Sequence, residues 1–436
     1  MITYKYKEED LITIAKRDNN TKRPFLLVNP LQGKHLAVSP SVSVQLFETL
    51  AHQVFSRTDV DYSHTLVIGF AETATAIGAG LSIHAPFPVS YIQTTREKYM
   101  GKDFLYFNEE HSHATDQMVI KDFLDQTIHS GCHIIFAEDE VTTGKTIENF
   151  IRVLLKTYPQ HRISFGIASI LNGMGNEKLE ELELRGIAID YLLPVPSYNY
   201  DEILSSYTYE PSLCHDSKIS EFAALPSRLK EDKRIYSSTF AITSDRRTMG
   251  KQGSRNLYPD TQLITDRYPK NRRKADTKLC YDTLLCDNYA DTRLGVDADS
   301  YQTQCELLAQ QIIQNYGLAN ADLPALRILV LGTEECMYPG IALGQRLETD
   351  TCHQVRFHAT TRSPILPSSE DSYPIKERYC LHSFYEQERI TYLYNLEDYD
   401  LCIVVTDSKA ETTAMRELCT ALQNRIHGKF ILVNWR

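Results

Sequence analysis

The segment HIIFAEDEVTTGKTIENFI, residues 133–151, decides the fold of the first half of the chain. An apolar run ends in two adjacent carboxylates, Glu138 and Asp139, and leads through a polar turn into an amphipathic stretch. The apolar run predicts a buried strand, and the periodic stretch after the turn predicts a helix. The segment therefore predicts a strand that ends in acids and turns directly into a helix.

The polar turn carries residue types that bind a phosphate. Backbone N–H groups at a glycine-containing turn that opens a helix form an anion site, and threonine hydroxyls add donors. Carboxylates at the end of the strand would accept hydrogen bonds from vicinal hydroxyls, as a ribose presents them. The spacing suits a ribose 5-phosphate, and an ordinary strand-to-helix turn is the alternative. The predicted loop consists of Val141, Thr142, Thr143, Gly144, Lys145 and Thr146.

Two other phosphate-binding motifs are excluded for this turn. A P-loop requires G-x-x-x-x-G-K-[ST], but the residue five before Gly144 is Asp139, so only the GKT part is present. A dinucleotide-binding sheet requires G-x-G-x-x-G after its first strand, and the sequence contains no such motif.

Short apolar runs alternate with amphipathic stretches on both sides of this segment, which predicts right-handed crossover units and a mostly parallel sheet. The predicted strands are residues 24–29, 65–70, 88–93, 133–138, 163–169 and 187–193, and the predicted helices are 41–56, 72–82, 116–130 and 145–157.

Beyond about residue 197 the apolar runs become short, and basic residues cluster at 228–234, 244–253 and 269–278. This texture predicts a connecting region with a helix near 301–316. Alternation then resumes and predicts a second, smaller Rossmann-like α/β domain. Its strands are expected at 326–332, 355–360, 401–407 and 430–435, with helices from about 341 and over 410–426. We expect a first domain at 1–200, a connecting region at 201–320 and a second domain at 321–436.

The composition is that of an ordinary folded protein. The 436 residues are 42% hydrophobic and 24% charged with a net charge of −11, which argues against disorder and against a polyanion-binding coat protein. The ten cysteines include no C-x-x-C pair, which favours reduced thiols over disulfides or structural zinc. No apolar window approaches the roughly 18 residues of a membrane span, so we expect a cytoplasmic protein.

A strand followed by two acids, two mostly apolar positions and T-T-G-x-T resembles the signature of the type I phosphoribosyltransferases. The similarity extends to the branch of that family whose C-terminal domain is named for a T-R-S-P motif, which stands here at 361–364. It covers about 24–195 and 326–436. The motifs that carry it are GKH (33–35), GFAETATAIG (69–78), TTRE (94–97), EEHSHA (109–114), EDEVTTGKT (138–146), LGTEECMYPGIALGQRLE (331–348), YLYNL (392–396) and VVTD (404–407).

The resemblance implies a transferase that uses 5-phosphoribosyl 1-diphosphate (PRPP), or a ribose-5-phosphate-containing nucleotide in reverse, with a base or amine as acceptor. Glu138 and Asp139 would hold the ribose hydroxyls, and Mg²⁺ would be held mainly through the substrate, with these two carboxylates as candidate ligands. Arg96 would contact the diphosphate. Members of this branch are associated with tellurium-resistance-type stress gene clusters. A regulatory protein that binds the same ligands without turnover is the alternative function, and homodimerisation is left open.

The family places its diphosphate-binding loop at the turn after the second predicted strand, here Gly69, Phe70, Ala71, Glu72 and Thr73. Many members carry a basic residue and paired glycines at this turn, whereas this chain has Glu72 and Thr73. A carboxylate beside diphosphate repels it unless a cation lies between them. Glu72 is therefore a candidate metal ligand, an acceptor for the other substrate, or merely an acid at a helix start.

Two further groups of residues are candidates for the acceptor side of the site. Lys34 and His35 follow the first strand, and a cap over the acceptor is one interpretation. The acids and histidines Glu110, His111 and His113 would bind a metal, assist proton transfer or shape a pocket, although H-x-H alone is also common in surface loops.

The second domain also ends its strands in polar residues, where open α/β sheets bind ligands. An arginine and hydroxyls at such an edge suit a phosphate or carboxylate. A second small-molecule site is one interpretation, and a docking or dimerisation domain is the other. The candidate residues are Gly332, Thr333, Glu334, Thr361, Arg362 and Ser363, with Tyr338, Tyr394 and Asp407 nearby.

Overall fold

The fold is given by a computed structural model that describes residues 5–97, 99–107, 117–128, 131–216, 281–287, 289–408 and 411–435. The helices are α1 (Glu8–Leu11), α2 (Pro40–Phe55), α3 (Thr75–Ile83), α4 (Lys121–Ile128), α5 (Lys145–Thr157), α6 (Asn176–Leu184), α7 (Tyr200–Ser205), α8 (Ala298–Asn315), α9 (Tyr338–Asp350) and α10 (Glu411–Ala421). The strands are β1 (Thr13–Lys16), β2 (Phe25–Val28), β3 (Thr65–Gly69), β4 (Ser90–Gln93), β5 (Phe104–Tyr106), β6 (Met118–Ile120), β7 (Cys132–Val141), β8 (Ile163–Asn172), β9 (Ala188–Pro194), β10 (Cys214–Asp216), β11 (Tyr281–Cys286), β12 (Val296–Asp297), β13 (Arg327–Thr333), β14 (Gln354–Thr360), β15 (Arg378–His382), β16 (Ile390–Tyr394), β17 (Tyr399–Thr406) and β18 (Ile426–Trp435).

The first sheet has the strand order β12, β4, β3, β7, β8, β9. The strands from β4 to β9 are parallel, and the two-residue strand β12 runs antiparallel to β4 at the edge. All residues of β7 from Cys132 to Ala137 are buried, and Phe136 lies with its ring 5.4 Å from that of Phe150 in α5. The predicted mostly parallel α/β sheet is confirmed.

The second sheet has the order β11, β18, β17, β13, β14, and its strands are all parallel. Its edge strand β11 comes from the predicted connecting region. The same region supplies α8, close to the helix expected at 301–316, and β12, which pairs with the first sheet. The basic clusters at 228–234, 244–253 and 269–278 lie outside the described residues. The two boundaries, at 200/201 and 320/321, remain predictions.

One predicted helix was wrong over its first residues. The stretch 116–130 was expected to be helical, but Met118–Ile120 forms β6, which pairs with β5, and α4 begins only at Lys121. The physical reason is local, because the three successive apolar residues are all buried and the amphipathic spacing starts after them.

The two sheets are joined along α2 and the segment before it. Helix α9 packs on α2, and Glu348 accepts hydrogen bonds from Ser39 Oγ at 2.6 Å and from the Ser41 main-chain N–H at 2.9 Å. Val38 and Phe357 exchange backbone hydrogen bonds of 3.0 and 2.7 Å, so the chain before α2 extends the edge of the second sheet. Residues of the first domain are thus built into the second sheet.

The carboxyl ends of the two parallel sheets face one another. The loop after β3 contacts the loop after β14 through Glu72 and Thr361. The loop after β4 contacts the loop after β13, where Thr95 donates to Glu335 at 2.9 Å. Both sheets therefore present the edge at which open α/β sheets bind ligands to the same interior space.

Candidate active site

The predicted phosphate loop connects β7 to α5 in the way that the sequence indicates. Thr142 and Thr143 are exposed, and Gly144 adopts a left-handed conformation with φ of 72° before the helix begins at Lys145. A Cβ atom at Gly144 would lie 3.0 Å from Met174 Sδ. The turn therefore presents threonine hydroxyls and the N–H groups of a helix start, of which the Lys145 N–H donates to Thr143 Oγ1 at 3.4 Å.

The acidic pair lies immediately before this loop and is partly buried. Glu138 Oε2 accepts hydrogen bonds from the Asp139 main-chain N–H at 2.9 Å and from Thr73 Oγ1 at 3.4 Å. Burial, and then the negative charge of Asp139, raise the pKa of Glu138 well above its ordinary value. Asp139 Oδ1 accepts from the Glu140 N–H at 2.9 Å. The pair is thus within reach of the diphosphate-loop residue Thr73.

A third acid follows the pair but has a structural partner. Glu140 accepts two hydrogen bonds from the Arg23 guanidinium, at 2.6 and 2.7 Å. Arg23 lies just before β2, so this pair anchors the β1–β2 ribbon to the end of β7. Arg17, at the other side of the same ribbon, has its Nε buried without a hydrogen bond.

The predicted diphosphate loop turns between β3 and α3. The Phe70 N–H donates to Ala137 O at 3.1 Å and the Ala71 N–H donates to Thr94 Oγ1 at 2.8 Å, so these two amides are already in use. The Phe70 ring is buried in the core, and the peptide bond between Ala71 and Glu72 is cis. A Cβ atom at Gly69 would meet the Tyr91 hydroxyl at 2.9 Å, which explains the glycine. Of the loop amides, those of Glu72 and Thr73 make no hydrogen bond with the described residues.

Glu72 in this loop is buried and contacts residues of the second domain, in the loop after β14. Its Oε1 accepts from Thr361 Oγ1 at 2.6 Å and from the Arg362 N–H at 3.0 Å, and the Arg362 Nε lies 3.3 Å from Oε2. The Lys34 Nζ lies 3.8 Å from Oε1. The contact partners of Glu72 in the described chain are therefore residues of the T-R-S-P motif and a buried lysine.

Arg96 follows β4 and lies between the two sheets. Its main-chain N–H donates to Glu335 Oε1 at 3.3 Å, and its Nε is buried without a hydrogen bond. Burial, and then the positive charge of Arg362, lower the pKa of Arg96. Lys98 lies outside the described residues, and Lys102 pairs with Asp122 at 2.7 Å. Of the two described basic residues, Arg96 and Lys102, Arg96 is the one that lies at the facing edges.

The candidate acceptor-side residues fall into two groups. Lys34 and His35 are both buried, and the His35 Nε2 has no hydrogen-bond partner. Burial, and then the charge of Lys34, lower the pKa of His35 well below its ordinary value. Gln32 donates to Thr73 O at 2.6 Å, which ties this segment to the diphosphate loop. The other group, Glu110, His111 and His113, lies outside the described residues.

The candidate residues of the second domain come together, but their polar groups bind one another. Glu334 is fully buried and accepts from Arg362 Nε at 2.6 Å and from Ser383. Thr333 Oγ1 donates to Thr406 Oγ1 at 2.8 Å, within the same edge as Gly332. Tyr394 donates to Ser363 O at 2.5 Å and so supports the T-R-S-P turn. This edge is occupied by protein contacts in the structure.

The other two residues noted near this edge have different surroundings. Asp407 accepts hydrogen bonds from Arg293, Tyr289 and Tyr385. Tyr338 instead packs in the core at the start of α9, with its ring 6.0 Å from that of Tyr301. Asp407 therefore belongs to the facing edges and Tyr338 does not.

Further charged residues complete the contacts between the sheets. Arg293 Nε donates to Glu335 Oε2 at 2.8 Å, and Arg389 Nη1 lies 2.6 Å from Glu97 Oε1. No sequence pattern singles out Arg293 or Arg389, because the carboxylates that they contact are distant in the sequence. Glu97 could have been singled out from the sequence, because it stands beside Arg96 in the TTRE motif.

In the described part of the chain no group of three or more His, Cys, Asp or Glu is placed to hold a metal ion. No helix there is long and apolar enough to cross a membrane.

Comparison with protein families gives two adjacent matches. A family model described as phosphoribosyl transferase matches residues 11–192. A second model, described as the TRSP domain C-terminal to that transferase domain, matches residues 291–422. The two matches follow one another in the order that the sequence predicts. No curated protein matches the chain.

Several solved structures are similar to part of the chain. The adenine phosphoribosyltransferase of Rhodothermus marinus is 16% identical, with a TM-score of 0.31 over 43% of this chain and 96% of that chain. The Trypanosoma brucei enzyme, in complex with AMP, pyrophosphate and ribose-5-phosphate, is 12% identical, with a TM-score of 0.31 over 43% and 77%. The orotate phosphoribosyltransferase of Mycobacterium tuberculosis is 15% identical, with a TM-score of 0.26 over 42% and 90%.

The family matches agree with the motifs and with the parallel sheet that positions them. The strand, acidic pair and glycine turn lie within the first match, and the T-R-S-P turn that reaches Glu72 lies within the second. The chain therefore contains a phosphoribosyl transferase domain, matched over residues 11–192, followed by a C-terminal TRSP domain, matched over residues 291–422.

Proposed function

We propose that the protein uses PRPP and Mg²⁺ to form an N-ribosidic, nucleotide-like metabolite with release of diphosphate, or to cleave such a metabolite in the reverse direction. The observation that carries this proposal is the end of β7. There the pair Glu138 and Asp139 is followed by exposed threonines and by Gly144, whose left-handed turn opens α5. Such a site combines acceptors for ribose hydroxyls with donors for a phosphate.

The 5-phosphate of the donor would bind in the loop between β7 and α5. Lys145 and Thr146 are exposed at the first turn of α5, beside the exposed Thr142 and Thr143. Main-chain N–H groups at the start of a helix are unpaired within the helix and carry a partial positive charge. The loop would therefore anchor the donor by its dianionic end and fix the position of the ribose.

The ribose hydroxyls would donate to the acidic pair. Asp139 uses Oδ1 for the Glu140 N–H, and no described residue donates to its second oxygen. The transferred group passes through a positively charged, oxocarbenium-like state, which neighbouring carboxylates stabilise. Catalysis would come from positioning the donor and from this electrostatic stabilisation, with no covalent bond to the protein.

The diphosphate would lie at the loop after β3, against the free N–H groups of Glu72 and Thr73. Arg96 reaches the same space from the loop after β4, and its guanidinium suits bidentate contact with phosphate oxygens. Because Glu72 is paired with Arg362, its carboxylate would repel the diphosphate less than the sequence alone suggests.

The carboxylate ligands of this site fit a Mg²⁺ ion that is held largely by the substrate. Glu138 and Asp139 offer carboxylate oxygens, the hard ligands that Mg²⁺ prefers, and Mg²⁺ commonly takes one or two carboxylates together with substrate phosphates and waters. Among the described residues no larger cluster of ligands surrounds them. When bound, the ion would offset the negative charge of the diphosphate.

The test is an incubation of the protein with PRPP, Mg²⁺ and a panel of bases and amines, followed by measurement of released diphosphate. Release that depends on one acceptor class supports the transferase and identifies the acceptor. A parallel incubation with nucleotides and diphosphate, or with nucleotides and water, would reveal the reverse reaction.

A regulator that binds PRPP or a nucleotide without turnover is the second candidate. The observation that favours it is Glu72, a carboxylate at the loop where the leaving group would lie. Tight binding of PRPP by calorimetry, with no diphosphate released for any acceptor, would favour the regulator over the transferase.

A further inference from the structure

Lys34 is a buried cation without a hydrogen-bond partner among the residues that the structure describes. Its side chain is 1% exposed, and its nearest carboxylate oxygen is Glu72 Oε1, at 3.8 Å from Nζ. That distance is beyond hydrogen-bonding range, and no described residue accepts a hydrogen bond from Nζ. A buried ammonium group with three free donors carries a large desolvation cost, so such groups are normally paired.

Glu72 does not accept a hydrogen bond from Lys34, because Nζ lies 3.8 Å from Oε1, and that oxygen already has two donors. Its Oε1 accepts from Thr361 Oγ1 at 2.6 Å and from the Arg362 N–H at 3.0 Å. The Arg362 Nε lies 3.3 Å from the other oxygen. The hydrogen bonds that the Glu72 carboxylate accepts from the described residues thus come from the second domain, and the N–H donors of Lys34 remain available to another anion.

The fold fixes Lys34 between the two parts of the proposed donor site. On one side, Gln32 donates to Thr73 O at 2.6 Å and holds the lysine segment against the diphosphate loop. On the other side lies Glu138, whose electrostatic environment includes the Lys34 charge. Gly33, with φ of 76°, passes so close to Phe357 that a Cβ atom would lie 2.5 Å from its ring. The segment is thus held from both domains.

The sequence of the diphosphate loop itself supplies the second observation. Residues 69–75, GFAETAT, contain one acid and no basic residue. A diphosphate bound there needs positive charge from elsewhere. Lys34 is a buried cation beside this loop, and it comes from the segment before α2.

We propose that Lys34 binds the diphosphate group of the donor and replaces the basic residue that the loop after β3 lacks. This inference rests on the proposed function. It reassigns Lys34 from the acceptor side of the site to the leaving-group side. Its three N–H donors would bind diphosphate oxygens, and the second domain keeps them available by holding Glu72.

The test compares two ligands on wild type and on Lys34→Met, by calorimetry with Mg²⁺ present. PRPP carries the diphosphate and ribose 5-phosphate does not. We expect the substitution to lower PRPP affinity about 10- to 100-fold, as loss of hydrogen bonds to a charged group does, and to leave ribose 5-phosphate affinity unchanged. Lys121→Met, a lysine paired with Asp125 on α4, is the matched control and should change neither affinity.

The possible outcomes distinguish the role of Lys34 from the proposed donor site as a whole. If Lys34→Met binds PRPP as tightly as wild type does, the role of Lys34 is wrong while the proposed donor site stands. If wild type binds neither ligand, both are wrong. Unchanged ribose 5-phosphate binding shows that the variant is folded, and Lys34→Gln, which removes the charge but keeps a donor, provides the same comparison should the methionine variant not fold.

Discussion

Arg362 and Glu72, which are 290 residues apart, are joined by a main-chain hydrogen bond of 3.0 Å. The contact links the T-R-S-P motif of the second domain to the loop proposed for diphosphate. Arg362 also reaches Glu334 at 2.6 Å, so one side chain bridges the facing edges of the two sheets. The TRSP domain is thereby part of the proposed transferase site.

This bridge predicts that the two residues act together on donor binding. Arg362→Ala should weaken PRPP binding, because it leaves the buried Glu72 charge facing the diphosphate. Glu72→Gln removes that charge and should recover part of the lost affinity in the double variant. We expect a coupling of about 0.5–3 kcal/mol in a double-mutant cycle of calorimetric affinities. Strictly additive effects would contradict the coupling.

The 5-phosphate and ribose contacts can be tested by two single substitutions. Asp139→Asn and Thr146→Ala should each lower PRPP affinity about 10-fold or more, because each removes hydrogen-bonding capacity toward a charged or polar part of the donor. Thr157→Ala, at the other end of α5, is the matched control and should not change it. If both site variants bind PRPP as wild type does, the assignment of this loop is wrong.

The left-handed turn before α5 predicts a strict requirement for glycine at position 144. Gly144→Ala places a Cβ in a backbone conformation with φ of 72° and 3.0 Å from Met174 Sδ. It should lower the free energy of unfolding by about 1–2 kcal/mol and weaken ribose 5-phosphate binding.

Gly175 offers a matched control for that substitution. Its φ is −72°, and a Cβ there would meet no atom within 4 Å. Gly175→Ala should therefore leave both the urea midpoint and the ribose 5-phosphate affinity near wild type. Equal effects at the two glycines would show that the turn conformation is not the cause.

The raised pKa of Glu138 predicts a pH dependence of stability. The Glu138 carboxyl keeps its proton to higher pH in the folded protein than in the unfolded chain. Above about pH 4.3 the folded state therefore binds more protons at this group than the unfolded state does. The stabilisation is complete below that pH and is lost as pH rises toward the folded pKa. Glu138→Gln replaces the titrating carboxyl by an amide that does not ionise. Its urea midpoint should fall less steeply with rising pH than that of wild type, and parallel curves would contradict the shift.

Local patterns were sufficient to predict the elements that carry the phosphate loop. Helix α5 runs over Lys145–Thr157, the same residues that its apolar spacing indicates, and β7 contains the predicted strand 133–138. Here one segment contains the strand, the turn and the helix, so their relation is fixed by adjacent residues. The acidic pair and the glycine turn are adjacent for the same reason.

The contacts between the sheets could not be read from local patterns. Glu72 is followed by a helix and looks like an acid at a helix start, yet its partners come from the T-R-S-P motif. Arg293 lies in a stretch without regular apolar runs and finds Glu335 only because β12 returns to the first sheet. Long-range pairing of charged groups depends on how the domains pack, which residue spacing does not encode.

The most direct measurement is a crystal structure of the protein with PRPP and Mg²⁺. We expect the 5-phosphate on the N–H groups and hydroxyls between Thr142 and Thr146, the ribose hydroxyls at Glu138 and Asp139, and the diphosphate at the loop after β3. A donor bound with its 5-phosphate elsewhere, while this loop contacts only solvent, would contradict it.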